Sequence, residues 1–208
     1  MIAIPQHESK TKLLNAALHV IRAKGYSATT IDDVCNTAQL TKGSFFHHFK
    51  SKEDLAVAAA GHFSDMADSL FTNAPYWAKA DPLDRLLGYV DFRQAMLQGA
   101  LPDFTCLLGT MVQEAYATHP SIRAACNEGI RQNAAMVETF VAAAMRQHGV
   151  PGGWSASSLA LYTQAVLQGA FILAKAQGGP AVAVECLAHL RRYIELLFAQ
   201  PHSMEKAA

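Results

Sequence analysis

Residues 41–52, TKGSFFHHFKSK, combine hydroxyl, imidazole and ammonium donors with aromatic rings, and they include no acidic residue. Lys42, Ser44, His47 and His48 can donate hydrogen bonds to base edges or to phosphates, the two kinds of contact that DNA-binding surfaces make. The chemistry that this pattern favours is therefore noncovalent recognition of a nucleic acid rather than catalysis.

The flanking residues predict the helix-turn-helix that would position these donors. Thr30 and Asp33 form a capping-box pair at the start of one short helix, and Thr41 is a suitable N-cap for the next. Ser51 opens a longer third helix. Backbone amides at the helix starts at Thr30 and Ser51 are natural phosphate sites, with the side chains of Thr30, Thr41 and Lys52 alongside.

The middle helix should present two different faces. Phe45 is expected on the outer face, where its ring could contact a thymine methyl group or pack on a sugar. Leu40, Phe46 and Phe49 are expected to face the core. Gly43 inside so short a helix costs roughly 1 kcal/mol relative to alanine, and a close approach of the backbone to another surface would explain it.

A solvated helix face without a partner is the alternative for Lys42, His47 and His48. The surrounding pattern favours DNA contact, with His47 as the expected base contact. For His48, packing against the first helix, an amphipathic segment over residues 8–24, is an equally good interpretation.

Charge is divided unevenly along the 208 residues, although the formal net charge is zero. Residues 1–55 carry seven Lys and Arg against five Asp and Glu, a balance of +2, and residues 56–208 carry ten against twelve, a balance of −2. This fits a DNA-binding domain at 1–55 followed by a ligand-binding and dimerisation domain at 56–208. With no apolar run that would span a bilayer and no signal-peptide pattern, a cytoplasmic protein without a membrane partner is expected.

Apolar residues at helical spacing predict an all-α chain of about nine helices, with a three-helix unit at the N-terminus. No alternating pattern typical of strands has a useful length. The predicted interruptions between the later helices lie at residues 73–79, 99–102, 150–153 and 178–180.

Residues 25–55 resemble the N-terminal signature of the tetracycline-repressor (TetR) family of transcriptional regulators. Two positions depart from that pattern. Gln39 replaces a usual glycine in the turn, and a residue with a Cβ costs roughly 1–2 kcal/mol if the position is left-handed. Phe46 replaces a frequent tyrosine whose hydroxyl meets a phosphate. The matching positions are Gly25, Tyr26, Thr29, Thr30, Ile31, Val34, Ala38, Leu40, Lys42, Gly43, Phe46, His48, Phe49, Lys52, Glu53 and Leu55.

The resemblance implies a homodimeric regulator, usually a repressor, whose recognition helices enter successive major grooves of a near-palindromic double-stranded operator. It also implies a small-molecule effector in the C-terminal domain that releases the DNA. The alternative is a helical ligand-binding or protein-interaction module that has lost DNA binding. Loss of the basic and donor residues of 41–52 would mark that alternative, and they are present.

Inward-facing stripes of the central helices supply candidates for the effector pocket, with ordinary core packing as the competing explanation for each. Glu114 beside Gln113, and Asn133 within an apolar row, are the most informative, because a buried polar group needs a partner. The many Phe, Tyr and Met residues predict a small, largely apolar or aromatic effector. The candidates are His62, Phe63, Met66, Phe92, Met96, Cys106, Met111, Gln113, Glu114, Asn133, Tyr162 and Phe171.

The last two predicted helices have small residues and broad apolar faces, which suits a four-helix bundle across the two-fold axis of a dimer. Core packing within one chain is the alternative. The residues expected at the dimer interface are Leu159, Tyr162, Val166, Ala170, Leu173, Val182, Leu190, Tyr193 and Leu197.

Motifs of the common enzyme classes are not found: there is no GxSxG, Walker A, dinucleotide-binding or HExxH pattern, and SxxK at residues 9–12 stands alone. No enzymatic activity, cofactor or metal is therefore expected. The four cysteines are scattered without a CxxC pair, which indicates reduced thiols. A sensing role for cysteines or histidines stays open.

Overall fold

The computed structural model describes residues 6–149 and 153–199. Within those residues the chain forms ten α-helices, one short 3-10 helix (Pro75–Ala78) and no β-strand, which confirms the all-α prediction. The α-helices are α1 (Gln6–Lys24), α2 (Ile31–Ala38), α3 (Lys42–His48), α4 (Lys52–Thr72), α5 (Pro82–Ala95), α6 (Leu101–Phe104), α7 (Leu107–Ala115), α8 (Pro120–His148), α9 (Ala156–Gln177) and α10 (Ala181–Ala199).

One helix, α6, lies where the sequence pattern predicts only a corner. Asp103 Oδ2 accepts a hydrogen bond from the backbone N–H of Ala100 at 2.9 Å, which satisfies a donor at the helix start. Pro102 lies in the first turn, where its missing N–H has no consequence. These local signals account for a tenth helix.

Contacts divide the chain into two compact units. The first unit comprises Met1–Ser69 and Ala100–Ile130, and the second comprises Leu70–Gly99 and Arg131–Ala208. The first unit extends beyond residues 1–55 because α6 and α7 pack on α1. The functional boundary at residue 55 stays a prediction, since compactness does not report what a segment binds.

The first unit is built around α1, whose apolar stripe is buried as its helical spacing predicts. Leu14, Ala17, Leu18 and Ile21 lie in one core cluster with residues of α2, α3, α4 and α7. This packing fixes α2 and α3 on one side of α1, and α6 and α7 contact the same helix. The helix-turn-helix therefore shares its core with helices far along the chain.

The second unit has an aromatic centre. Phe71, Tyr76, Tyr89 and Phe140 are buried, and the ring centroid of Tyr76 lies 5.8 Å from those of Tyr89 and Phe140, edge to face in both cases. Such pairs contribute about 0.5–1.5 kcal/mol beyond the area that they bury. α10 packs on both α5 and α9 in the same unit.

α9 is long and apolar enough to cross a membrane by length and composition alone, which corrects the prediction that no such run exists. This is weak evidence for a membrane span, because the core helix of a soluble protein passes the same test. Within its most apolar window 39% is buried, and Leu161 and Ile172 are among the apolar side chains that stay exposed.

Candidate nucleic-acid interface and effector region

Two helix caps hold the helix-turn-helix in place, as the sequence predicts. Thr30 Oγ1 accepts a hydrogen bond from the N–H of Asp33 at 3.1 Å, and the N–H of Thr30 donates to Asp33 Oδ2 at 2.8 Å. Thr41 Oγ1 accepts from the N–H of Ser44 at 3.2 Å at the start of α3. The Lys24 ammonium and the donors of Thr30 hold the pKa of Asp33 well below its usual range, so this cap stays ionised.

The turn between α2 and α3 contains a left-handed residue. Gln39 has φ 55° and ψ 43°, and within residues 6–149 and 153–199 it is the one residue other than glycine with a positive φ. The N–H groups of Gln39 and Leu40 bond back to the carbonyls of Asn36 and Cys35 at 3.2 and 2.9 Å, which retains the turn. The predicted turn is thus preserved, with Gln39 in the left-handed conformation, and its strain stays a prediction.

α3 buries the ring of Phe45 and exposes that of Phe46, the reverse of the prediction from sequence. Phe45 is fully buried in the core of the first unit, whereas 55% of Phe46 is exposed. Phe45 and Phe49, four residues apart, share the inner face, with ring centroids 5.7 Å apart. Because adjacent helical positions point about 100° apart, Phe46 cannot join them. The prediction that Phe45 contacts DNA while Phe46 packs inward is therefore wrong.

The outer face of α3 presents other predicted donors. Lys42 and His47 are exposed and Ser44 is partly exposed, with the ring of Phe46 also exposed on this helix. Lys42 Nζ lies 2.9 Å from Asp32 Oδ1, and the two side chains are 60% and 61% exposed. Such an exposed pair is worth only about 0–1 kcal/mol, so a phosphate can replace the carboxylate.

His48 joins α3 to α1. Its Nε2 lies 2.6 Å from Oγ of Ser9, a hydrogen bond between the two helices. Burial, followed by the charge of neighbouring His47, lowers the pKa of His48 and favours its neutral form. Packing against the first helix is thus the observed arrangement, and a DNA contact by His48 stays a prediction.

Lys52 makes contacts that stabilise the fold of the first unit, and its predicted phosphate contact stays a prediction. Its ammonium donates hydrogen bonds to the backbone carbonyls of Tyr26, Ser27 and Thr29 at 3.1, 3.4 and 3.0 Å. It also lies 4.5 Å from the centroid of the Tyr26 ring. Three acceptors occupy the three donors of an ammonium group, so Lys52 fastens the start of α4 to the loop between α1 and α2.

The same loop is held from the end of α7 and the start of α8. Glu114 Oε2 accepts a hydrogen bond from the N–H of Ser27 at 2.7 Å, and its carboxylate occupies the space that a side chain on Gly25 would need. His119 packs edge-on against Tyr26, with centroids 5.3 Å apart. Glu114 therefore supports the helix-turn-helix, and its role in an effector pocket stays a prediction.

The other pocket candidates are distributed over both units. Met66 and Gln113 of the first unit and Met96 and Tyr162 of the second are exposed, whereas Met111 is fully buried core. In the single chain the four exposed side chains enclose no pocket and Met111 is part of the core, and the assignment of these five residues to an effector pocket stays a prediction. The candidates that are half-buried or buried, and whose roles stay predictions, are His62, Phe63, Phe92, Cys106, Asn133 and Phe171.

Asn133 has the partners that a polar residue in an apolar row requires. Its Oδ1 accepts hydrogen bonds from the Tyr89 hydroxyl at 3.0 Å and from Gln164 Nε2 at 2.6 Å. Arg93 Nη1 donates to the Tyr89 hydroxyl oxygen at 3.3 Å. We name these four residues, Tyr89, Arg93, Asn133 and Gln164, the Asn133 network. The periodicity of the sequence does not identify the partners of Asn133. Gln164, a glutamine inside an apolar helix, is the member that the sequence could have identified.

The predicted dimer interface is partly buried within the chain. Some of the predicted residues lie on the sides of α9 and α10 that face the core of the second unit, so they cannot also face a second copy. The residues wrongly predicted at the interface for this reason are Leu159, Ala170 and Leu190. The half-buried members are Val166, Val182 and Leu197.

The other residues predicted at the dimer interface are exposed. They belong to an apolar surface of which the sequence predicts only some members. Tyr162, Leu173 and Tyr193 are exposed, and the rings of Tyr162 and Tyr193 lie 5.1 Å apart. Three further exposed residues of α9 and α10 were not predicted. The whole set, the α9–α10 apolar face, is Leu161, Tyr162, Ile172, Leu173, Tyr193 and Leu196.

The cysteines are free thiols, with Cys35 and Cys126 buried and Cys106 and Cys186 half-buried. Burial raises the pKa of Cys126 to about 12, so this thiol is protonated and inert at neutral pH. In the part of the chain that the structure describes, no group of three or more His, Cys, Asp or Glu side chains is placed to hold a metal ion.

Two family models match the chain. Residues 13–59 match the model described as bacterial regulatory proteins, tetR family, and residues 82–190 match the tetracyclin repressor-like C-terminal domain. The second match alone covers 109 of the 208 residues, counting from 82 to 190 inclusive. The first spans the helix-turn-helix and the second spans most of α5 to α10.

Curated relatives and solved structures agree with these matches. The transcriptional regulator AcuR of Cereibacter sphaeroides is 32% identical over 115 residues, 54% of this chain and 52% of AcuR. The repressor NemR of Escherichia coli is 24% identical over 128 residues, 61% of this chain and 63% of NemR. The matched segments thus span less than two thirds of either relative. A TetR-family regulator from Agrobacterium tumefaciens has the same fold, with a TM-score of 0.80 at 18% identity over 90% of this chain and 98% of that one.

Proposed function

The chain belongs to the tetR family of bacterial regulatory proteins, and on that premise we propose that it is a cytoplasmic, ligand-responsive transcriptional repressor. It binds a near-palindromic double-stranded DNA operator as a homodimer and leaves it when a small, largely apolar or aromatic effector binds. The observation that carries this proposal is the solvent exposure of α3, on which Lys42 and His47 are exposed and Ser44 is partly exposed outside the core.

The exposed residues of α3 have distinct roles in the proposal. Lys42 exchanges the carboxylate of Asp32 for a phosphate, and His47 donates to a base edge in the major groove. Gly43 allows the backbone of α3 to approach the DNA closely. A Cβ at Gly43 would meet only Thr41 Oγ1, at 3.6 Å, so the protein's own packing leaves room for a side chain there. A close approach of DNA to α3 would account for the glycine.

The α9–α10 apolar face is the surface we propose for the second copy. A two-fold dimer places the same patch of both chains against each other, so one apolar face serves both. Exposed apolar side chains gathered on two neighbouring helices mark an interaction surface. The dimer then presents two α3 helices to half-sites one helical turn of DNA apart, or a multiple of it.

We place the coupling between effector and DNA at the loop between α1 and α2. Glu114 of α7 and His119 before α8 hold this loop from one side, and Lys52 of α4 holds it from another. A shift of α7 or α8 on effector binding would move the start of α2 through these contacts.

The test is binding of the purified protein to the DNA upstream of its own gene, followed by fluorescence anisotropy across a salt series. We expect tight, salt-sensitive binding with two protomers per site. Lys42→Gln should weaken binding and reduce the slope of log affinity against log salt by about one. Lys79→Gln, the same charge change on an exposed lysine of the second unit, is the matched control and should bind as the wild type does.

Lys42→Gln binding as tightly as the wild type at matched salt would contradict the proposal, because it would remove Lys42 of α3 from the interface. Binding no tighter to this DNA than to random DNA of equal length leaves two interpretations: the operator lies elsewhere, or the chain is a helical ligand-binding module that has lost DNA binding.

A further inference from the structure

Phe46 presents an aromatic ring to solvent from α3. Its exposed fraction is 55%, whereas Phe45 is fully buried and Phe49, which caps the end of the helix, is 2% exposed. The ring of Phe46 packs edge to face on that of Phe45, with centroids 5.2 Å apart, so the core holds only part of it. Phenylalanine is also a weaker helix former than leucine or alanine. Neither packing nor helix propensity therefore accounts for an aromatic residue at this position.

Cationic side chains lie on the same short stretch as this ring. Lys42 is four residues earlier, on the same side of the helix, and Lys50 is exposed two residues after the helix ends. Residues 41–52 include no acidic residue, and the pair between Lys42 and Asp32 of α2 is exposed enough for a phosphate to replace the carboxylate. A purely apolar partner would remove water from Lys42 without compensation. The surface therefore fits a polyanion that also carries apolar groups.

Duplex DNA offers both chemistries in its major groove. Phosphates border the groove, and the C5-methyl group of thymine is the apolar group that base edges present there. In a helix-turn-helix the second helix enters this groove, and under the proposed function α3 is that helix. Lys42 and Phe46 are separated by about 6 Å along the helix axis. The ammonium can therefore reach a phosphate while the ring meets a base.

We propose that Phe46 is a specificity-determining residue whose ring packs against the C5-methyl group of a thymine in each half-site of the operator. The two-fold axis of the dimer repeats the contact in the second half-site. The contact releases no counterion, so it contributes affinity that salt does not weaken, in contrast to the contact of Lys42. This inference rests on the proposed function, since it names a base that the regulator recognises.

The experiment begins with a duplex that the full chain selects from a pool of random sequences. That duplex is then made in two forms, one with thymine and one with deoxyuridine at every thymine position. Deoxyuridine lacks the C5-methyl group and keeps the base pair and its hydrogen-bonding pattern. Fluorescence anisotropy measures the affinity of each form across a salt series.

The wild type should bind the thymine form about tenfold more tightly, because one buried methyl group accounts for about fourfold and two half-sites contribute. This ratio should stay constant across the salt series. Phe46→Ala should bind both forms equally, with the salt slope of the wild type, and Phe46→Leu should keep part of the preference. Tyr116→Ala, which removes another exposed ring of the first unit, is the matched control and should keep the full preference.

Circular dichroism and the thermal midpoint establish that each variant is folded, and Phe46→Leu keeps the test decisive if Phe46→Ala is not. Equal affinity of the wild type for the two forms, or a selected duplex without thymine, would overturn the inference. A Phe46→Ala variant that weakens both forms by the same factor would place the ring against deoxyribose and would overturn thymine recognition.

The selection step separates this inference from the function on which it rests. A pool in which no sequence is enriched contradicts the DNA-binding regulator and removes the inference with it. An enriched near-palindromic duplex that binds two protomers supports the regulator. If deoxyuridine then leaves its affinity unchanged, the inference about Phe46 fails and the regulator stands.

Discussion

The outer face of α3 and the Asn133 network are both groups of polar side chains beside buried aromatic rings, yet they are specified in different ways. The first comes from seven consecutive residues, and helix geometry alone brings Lys42 near Phe46. The second joins α5, α8 and α9 through pairs 44 and 31 residues apart in the chain. A change on the outer face of α3 can therefore alter binding and leave the fold intact, whereas a change in the network alters the fold's own hydrogen bonding.

The largest expected effect concerns the two faces of α3. Phe45→Ala removes a fully buried ring and should lower the free energy of unfolding by about 3–5 kcal/mol. Phe46→Ala removes an exposed ring and should change it by no more than about 0.5 kcal/mol. Urea unfolding followed by circular dichroism measures both. Similar losses for the two variants would mean that α3 does not have the inner face seen here.

The second largest effect is expected from a substitution that breaks the Asn133 network. Asn133→Ala removes the acceptor for Tyr89 and Gln164 and should lower the free energy of unfolding by about 1–3 kcal/mol, because both donors lose their partner. Ser44→Ala, a polar truncation on α3, should lower it by no more than about 0.5 kcal/mol. If Ser44→Ala lowered the free energy of unfolding more than Asn133→Ala, the contrast between the outer face of α3 and the Asn133 network would be wrong.

A smaller effect separates stability from binding within α3. Gly43→Ala should raise the free energy of unfolding by up to about 1 kcal/mol, because alanine is the better helix former and its Cβ has room. The same variant should bind the operator more weakly, since the added methyl group meets the DNA. Thermal unfolding and anisotropy on one preparation report both changes. Unchanged operator affinity would show that the backbone of α3 does not approach DNA closely.

The smallest effect concerns the turn that sets α3 against α2. Gln39→Gly should remove about 1–2 kcal/mol of strain, because glycine adopts the left-handed conformation without a Cβ clash. The larger backbone entropy that glycine loses on folding offsets part of this, so the free energy of unfolding should rise by about 0.5–1 kcal/mol. Gln39→Ala retains the Cβ and serves as the control, with a change expected within about 0.5 kcal/mol. An equal gain in both variants would attribute the effect to the glutamine side chain rather than to backbone strain.

Local signals account for what the sequence predicts well. The caps at Thr30 and Thr41 and the strain at Gln39 depend on a few neighbouring residues. α6 was missed although Pro102 and Asp103 are ordinary helix-start signals, because four residues are too few to show a periodicity.

Other features depend on packing that the sequence does not display. Two adjacent phenylalanines in a seven-residue helix leave its phase undetermined, which is why Phe45 and Phe46 were reversed. The sequence pattern suggests that Glu114 is a buried polar residue on an apolar helix. Only the fold shows that its carboxylate accepts a hydrogen bond from the distant loop at Ser27. Asn133 is recognisable as a residue that needs partners, but only the fold identifies Tyr89 and Gln164 as those partners.

The central claim is that two copies of the α3 outer face contact one DNA duplex, and hydroxyl-radical footprinting on the operator tests it most directly. We predict two protected patches on one side of the duplex, with centres about 34–36 Å apart or a multiple of that spacing. Both patches should fade together for Lys42→Gln and persist for Lys79→Gln. A single patch, or protection that Lys42→Gln leaves unchanged, would contradict a dimer that binds DNA through α3.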